Sequence, residues 1–342
     1  MQSDMHYYAT YAMAVLGGIP PEDAQTVAHA SQWVDDQNDG EIETYSDGAS
    51  IQTTPTAHHP VDAGVRAMRG GHRDDARHVW VPFHFIPGCV GDTYADKMLC
   101  RKDSEPARDM LAHHLSVPMA RNGFGLHLAG IAAHAYADTF SHYGFSGYRS
   151  PSNAIEDGSL AFDNLHQSVE KCLRDHYENF KRIVTNSADL GHGGVGTNPD
   201  QPYLRWSFRY ADGRSSGPRD NPATFLEACH ALHGFFARFS EIRYGAGAYP
   251  SKPFPERAIA AILAEHLPRE QRETLWKDAM RDGLLGSVPV CADYHADDWQ
   301  PPARADDIRK SNFYLFHCAA DYHRSYVLRV LLPSDRYGLV VA

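Results

Sequence analysis

Apolar residues recur every three or four positions over residues 6 to 17 and 22 to 36, the spacing that keeps one face of an α-helix toward a core. The second stretch, "IPPEDAQTVAHASQWVDD", opens with prolines and acids as a helix start should, so two helices joined by a Gly-Ile-Pro-Pro turn are predicted. From Asp39 to Pro60 the pattern dissolves into Gly, Asp, Ser, Thr and Pro, which predicts a loop with at most a short strand at "EIETY". "HVWVPFHFIPG" gathers β-branched and aromatic residues between Pro and Gly and reads as a short buried strand or extended segment. Helical spacing returns over 104 to 121 and 123 to 142, the latter rich in Ala and Gly, which allows close approach to a neighbouring helix. A helix from about Phe162 to Val184 comes next, then the Gly- and Pro-rich loop "DLGHGGVGTNPDQPYLRWSFRYADG", leading into one extended segment. Helices at about 222 to 242, 254 to 266, 269 to 283 and 304 to 332 complete the chain.

That order predicts a mainly α protein, a helical bundle with a few short strands. With 342 residues, 43% of them hydrophobic, the chain can bury a substantial core. No polar linker precedes the helices after residue 235, so they are expected to complete one domain spanning 1–342. The net charge of -11, without a Lys/Arg block, disfavours capture of duplex DNA. Six cysteines (Cys89, Cys100, Cys172, Cys229, Cys291, Cys318) without a C-x-x-C pair read as free thiols. The N-terminus has no basic leader region, and no run of eighteen apolar residues occurs. The expectation is a soluble protein, cytoplasmic in preference to one secreted without a cleavable signal peptide. Its oligomeric state is not read from the sequence.

Candidate chemistry concentrates in "HAYADTFSHYGFSG", which sets His134, Asp138 and His142 four residues apart on one helix. Such spacing keeps the three within about 80° of one face while they climb about 12 Å. A single ion with bonds of about 2.0 to 2.2 Å cannot be reached by all three, so two or more ions are favoured, with Asp138 able to bridge. Ordinary helix packing is the competing reading of this stretch taken alone. Further histidines lie beside carboxylates or in Gly/Pro turns: His6 near Asp4, His84 in "VPFHFIPG", His166 before Glu170, and His192 before Asp200. Asp35 and the pair His58 and His59 add to this group. Imidazole and carboxylate without clustered thiolate suits a hydrolytic zinc or manganese site.

In this order, and in "VWVPFHFIPG", "HAYADTFSHYGFSG" and "GHGGVGTNPDQPYLRW", the chain resembles the zinc-dependent phospholipase C and single-strand nuclease superfamily over roughly residues 1 to 230. More closely it resembles a bacterial and fungal group, some of whose members are described as zinc metallophospholipases C. The resemblance implies a phospholipase C-type bundle holding two or three Zn2+, with Mn2+ or Fe2+ as alternatives. It also implies His6 on a third metal, Asp35 and His84 with His134 and Asp138 on the first, and His142 with later ligands on the second. The superfamily's N-terminal Trp is missing, so Asp4 or the chain's own start would stand in. His142 lies four residues past Asp138, where the superfamily's last His lies six past.

For the remaining second-metal ligands His192 and Asp200 are favoured over His166 and Glu170, because "LGHGG" is costly in backbone entropy unless the loop must approach something closely. His58 or His59 would replace or support His84. His113, His114 and His127 read as surface or packing residues, and Trp80, Trp206 and Tyr210 as core, with a cage for a quaternary ammonium as the alternative. The expected activity is phosphodiester hydrolysis on a small molecule or lipid by metal-activated water, with Asp35 and Asp138 as the catalytic carboxylates. A non-haem di-iron or di-manganese oxygenase and a non-catalytic metal-binding protein are the rival readings.

Overall fold

Ala, Gly and apolar residues surround the helix of residues Gly125–His142 on all sides, and apart from Leu126 every residue of it is buried. A helix buried on all sides belongs at the centre of a bundle, and here helices from both ends of the chain pack around it. A computed structural model describes residues 1–38, 40–57, 75–163 and 190–341. A π-helical turn (Asp4–Ala9) leads into α1 (Thr10–Leu16), followed by α2 (Pro21–Asp36) and the hairpin β1 (Ile42–Thr44) and β2 (Ser50–Gln52). Helices α3 (Asp75–Phe83), α4 (Tyr94–Met98), α5 (Glu105–His114) and α6 (Val117–Arg121) precede the central α7 (Gly125–His142). Strands β3 (Ala161–Phe162), β4 (Arg205–Ser207) and β5 (Arg219–Asp220) form a small antiparallel sheet, with Phe162 opposite Trp206 and Trp206 opposite Arg219. Then come α8 (Asn221–Tyr244), α9 (Glu256–Leu263), α10 (Arg269–Arg281) and α11 (Asn312–Tyr326). The protein is mainly α with small antiparallel sheets.

Helices α2 and α7 approach each other closely. A Cβ on Gly130 would lie 2.3 Å from the Val27 carbonyl oxygen and 2.7 Å from the Ala30 Cβ. Glycine at this position lets the two backbones nearly touch, and it sets the end of α2, with Asp35, against the middle of α7. Helices α8 and α11 pack on other sides of α7, and one buried core includes residues from Met1 to Val341. Among the described residues no helix is long and apolar enough to cross a membrane.

The short strand expected within "EIETY" is present but pairs with a second, unexpected strand at Ser50–Gln52, and three further segments differ from their expected form. "HVWVPF" is the end of helix α3, not a strand: Val79, Val81 and Phe83 are β-branched or aromatic because they are wholly buried, and burial overrides strand propensity. The His84 and Phe85 N–H groups both return to the Trp80 carbonyl, closing the helix before the chain extends toward Pro87. The helix expected over 104 to 121 breaks at Leu115–Ser116, since Pro118 is disfavoured inside a continuous helix but fits the first turn of a new one. Over 304 to 332, Ser311 caps Tyr314 N–H and starts α11, leaving 305–310 as a separate 3-10 turn. Phe162 belongs to β3, and residues 164–184 of the helix expected there lie outside the described residues.

Candidate metal centre

Five separate segments deliver their side chains to one buried spot beside α7. His134 and Asp138 lie on α7 and are wholly buried, and His142 ends that helix. Asp35 arrives from the last turn of α2, His84 from just past α3, His6 from the π-helical turn, and His192 and Asp200 from the short turns after residue 190. Ligating atoms fall into three groups: Asp35, His84 and His134; His6, His134 and Asp138; His142, His192 and Asp200. Asp138 stands between them. Its Oδ1 lies 3.1 Å from His6 Nε2, while its Oδ2 lies 3.2 Å from His84 Nδ1 and 3.3 Å from His134 Nε2.

The hydrogen bonds on the far side of each ring fix which nitrogen faces inward. His84 donates Nε2–H to the Thr56 carbonyl (2.8 Å), His134 Nδ1–H to Ser31 (2.7 Å), His142 Nδ1–H to His84 (2.9 Å) and His192 Nδ1–H to Gly196 (2.7 Å). A carbonyl oxygen has no proton to give, so each neutral ring has its one N–H turned outward and a lone pair turned inward. The inward nitrogens of His84 and His134 then face each other at 3.2 Å, with Asp138 beside them and Asp35 Oδ1 3.7 to 3.8 Å away. In the other group His142 Nε2 and His192 Nε2 face Asp200 at 3.1 and 3.6 Å. One proton can relieve only one such pair of acceptors, whereas a cation between them satisfies all. Outward bonds from ligating histidines to carbonyls are also the usual support of metal-binding imidazoles. The donor set therefore fits a divalent metal with nitrogen and oxygen ligands.

The same demand for positive charge appears in the ionisation of the group. The Met1 amino group sits 2.7 Å from Asp138 Oδ1 and 3.2 Å from Asp200 Oδ1; burial works against its charge, but Asp138, Asp200 and Asp35 push its pKa up to about 11. Burial alone would raise the Asp138 carboxyl, yet His142, the amino group, His134 and His6 hold it well below the usual carboxylate range. Asp35 moves the other way, pushed up by its recessed position against the pull of His134 and His84. Burial disfavours charge on His84 too, but the carboxylates of Asp138 and Asp35 beside it prevail and raise it. His6 is driven well below the ordinary histidine value by burial and by His134, on which its ring stacks at 3.7 Å.

The structure thus brings together His6, Asp35, His84, His134, Asp138, His142, His192 and Asp200. Asp4 lies apart from them: both its oxygens are taken by the buried Arg272 guanidinium, at 2.7 and 3.2 Å, which also holds Gln2 and the Leu267 carbonyl. His58, His59, His166 and Glu170 lie outside the described residues. Gly191, in "LGHGG", has φ +55°, and a Cβ there would meet the Phe85 ring at 2.6 Å; Phe85 in turn stacks on His142 at 4.7 Å. Trp206 and Tyr210 are core residues, bonded to Asn221 Oδ1 and the Gly144 carbonyl, and form no cage with half-buried Trp80. His114 and His127 are buried away from the centre, with His127 on Asn312 Oδ1 at 3.1 Å. Sequence reasoning passed over Arg272, Arg219 and His323, buried partners of this framework that no local spacing marks.

No match is found among curated proteins or among solved structures. A family of unknown function, DUF6765, matches residues 1–331, nearly the whole chain, and the protein belongs to that family.

Proposed function

We propose that this protein is a metal-dependent phosphoesterase of the phospholipase C type, hydrolysing a small-molecule or lipid phosphodiester with Zn2+ as its cofactor. The observation that carries the metal is the set of four imidazoles whose N–H groups all point outward to carbonyls while their lone pairs converge on carboxylates. Divalent cations bound there would supply Lewis-acid activation of water and neutralise charge on a phosphate. His84, His134 and Asp35 would hold one ion, His142, His192 and Asp200 another, with Asp138 and His6 joining them or holding a third.

The chain's own residues divide the remaining work. The Asp35 side chain is 31% exposed and His192 20%, against 5% or less for His6, His84, His134, Asp138 and His142, so substrate and attacking water are admitted on these two edges. Asp35, on the open edge and among the ligating groups, is placed to hold an ion and orient that water. Asp138, held strongly ionised, turns its two oxygens to different histidines and keeps the groups at fixed spacing. The net charge of -11 favours a small or zwitterionic diester over a polyanion. A di-iron oxygenase site draws on paired Glu-x-x-His motifs, and the three groups among the described residues contain no Glu.

Elemental analysis of wild type beside Asp138→Asn, paired with hydrolysis of a chromogenic phosphocholine diester, tests the proposal. Two or more zinc per chain, lost together with activity in the variant, is the expected result. One ion or none, indifferent to Asp138, would refute it.

A further inference from the structure

Two buried side chains that donate to no member of the centre end on the backbone beside it. His323 of α11 is wholly buried. Its Nε2–H donates to the Pro82 carbonyl at 2.8 Å, and its Nδ1 accepts from His114 Nε2 at 3.0 Å. Pro82 lies in the last turn of α3, where carbonyls lack partners within the helix, and stands two residues before His84. Arg219 of β5, 2% exposed, donates to the carbonyls of Ser141 and Tyr143, the residues flanking His142 at the end of α7. Its guanidinium also covers the Tyr143 ring at 3.7 Å.

Ordinary helix capping explains why each carbonyl needs a donor. It does not explain why both caps fall within two residues of a ligand, one for each outer group of the centre. A ligand at a helix end has no following helical turn to hold it, so its ring can be placed no better than that end is held. We propose that His323 and Arg219 are positioning residues: His323 sets His84 in the group with Asp35 and His134, and Arg219 sets His142 in the group with His192 and Asp200. This inference rests on the metal-centre reading above. The His142 bond to the His84 carbonyl joins the two groups, so each cap reaches the other group only through that bond and acts more strongly on its own.

The test is Zn2+ titration of the full chain against a competing chromophoric chelator, in two backgrounds. With His192→Ala disabling the second group, His323→Leu weakens zinc binding by about 10- to 100-fold while Arg219→Met changes it by less than about threefold; with Asp35→Asn disabling the first, the order reverses. His323→Gln and Arg219→Lys, which keep a donor, recover part of the affinity. Should the Leu or Met variants fail to fold, the Gln and Lys variants are compared in the same backgrounds, with the same order expected. Equal weakening in both backgrounds, or unchanged affinity with only a lowered melting temperature, would overturn the inference and leave the metal centre standing. Wild type that binds no zinc would remove both.

Discussion

Replacing Arg272 by Met should unfold the protein far more readily than any surface change, although Arg272 touches none of the eight residues of the centre. Its guanidinium and the Asp4 carboxylate are 3% and 1% exposed, and they meet at 2.7 and 3.2 Å. Cutting the pair leaves a carboxylate in the interior without a counter-charge, a loss of about 3–5 kcal/mol. Each 1.4 kcal/mol is tenfold, so even the lower figure reduces the folded-to-unfolded ratio by more than about 100-fold. With a urea slope of about 3 kcal/mol/M, the denaturation midpoint should fall by about 1 M or more. The double variant Asp4→Leu, Arg272→Met removes both charges and should recover much of the loss, because a buried pair replaced by apolar groups is often neutral. Since Arg272 also grips Gln2, the turn bearing His6 loosens, and under the proposed function zinc content should fall in the single variant. The reasoning fails if Arg272→Met costs less than about 1 kcal/mol, the range of an exposed pair, or if the two single costs simply add.

Acid should destabilise the fold through histidines outside the centre. Burial pushes His29 down to about 3 and His127, His317 and His323 to about 4. The unfolded chain, with histidine pKa near 6.5, binds more protons than the folded one between these values. The contribution of these histidines is therefore flat above about pH 6.5 and falls as pH drops from there toward 4, by up to about 1.4 kcal/mol per unit for each histidine. Urea midpoints measured from pH 7 to 5 in chelator check this, and His29→Phe should flatten the slope. Gly130→Ala places a methyl group against the Val27 carbonyl and should cost about 1–3 kcal/mol despite the better helix former, while lowering zinc content by moving Asp35 away from His134. Under the proposed function, a chelator should lower the melting temperature, since an ion at 100 times its dissociation constant adds about 2.7 kcal/mol per site; an unchanged melting curve would count against bound metal.

The sequence made α7 readable because both its burial and its ligands obey one period. His134, Asp138 and His142 repeat at four, and Ala135, Tyr136, Ala137, Thr139, Phe140 and Ser141 between them are buried as well. The α3 segment was opaque for the opposite reason: a buried helix end rich in Val, Trp and Phe carries the composition of a strand. "LGHGG" signalled a close approach, and Gly191 lies against Phe85, but which ring it would meet depended on three other segments. Arg272 could not be found from its helix, where it sits in "REQRETLWKDAMR" among solvated charges and only its tertiary partner distinguishes it. His323 and Arg219 are hidden in the same way, since a cap on another element's backbone leaves no local pattern.

The eight side chains of the centre are scattered from residue 6 to residue 200, and none of the three groups draws all its ligands from one segment. A nascent chain therefore has no short segment able to chelate an ion by itself, in contrast to a zinc finger, whose ligands lie close in sequence and whose folding is driven by the metal. The pocket exists only once α2, α3, α7 and the turns after residue 190 have docked, so it is assembled late, by contacts of large sequence separation. Under the proposed function, ion selection is thereby deferred to a finished scaffold, whose geometry would be built before any ion arrives.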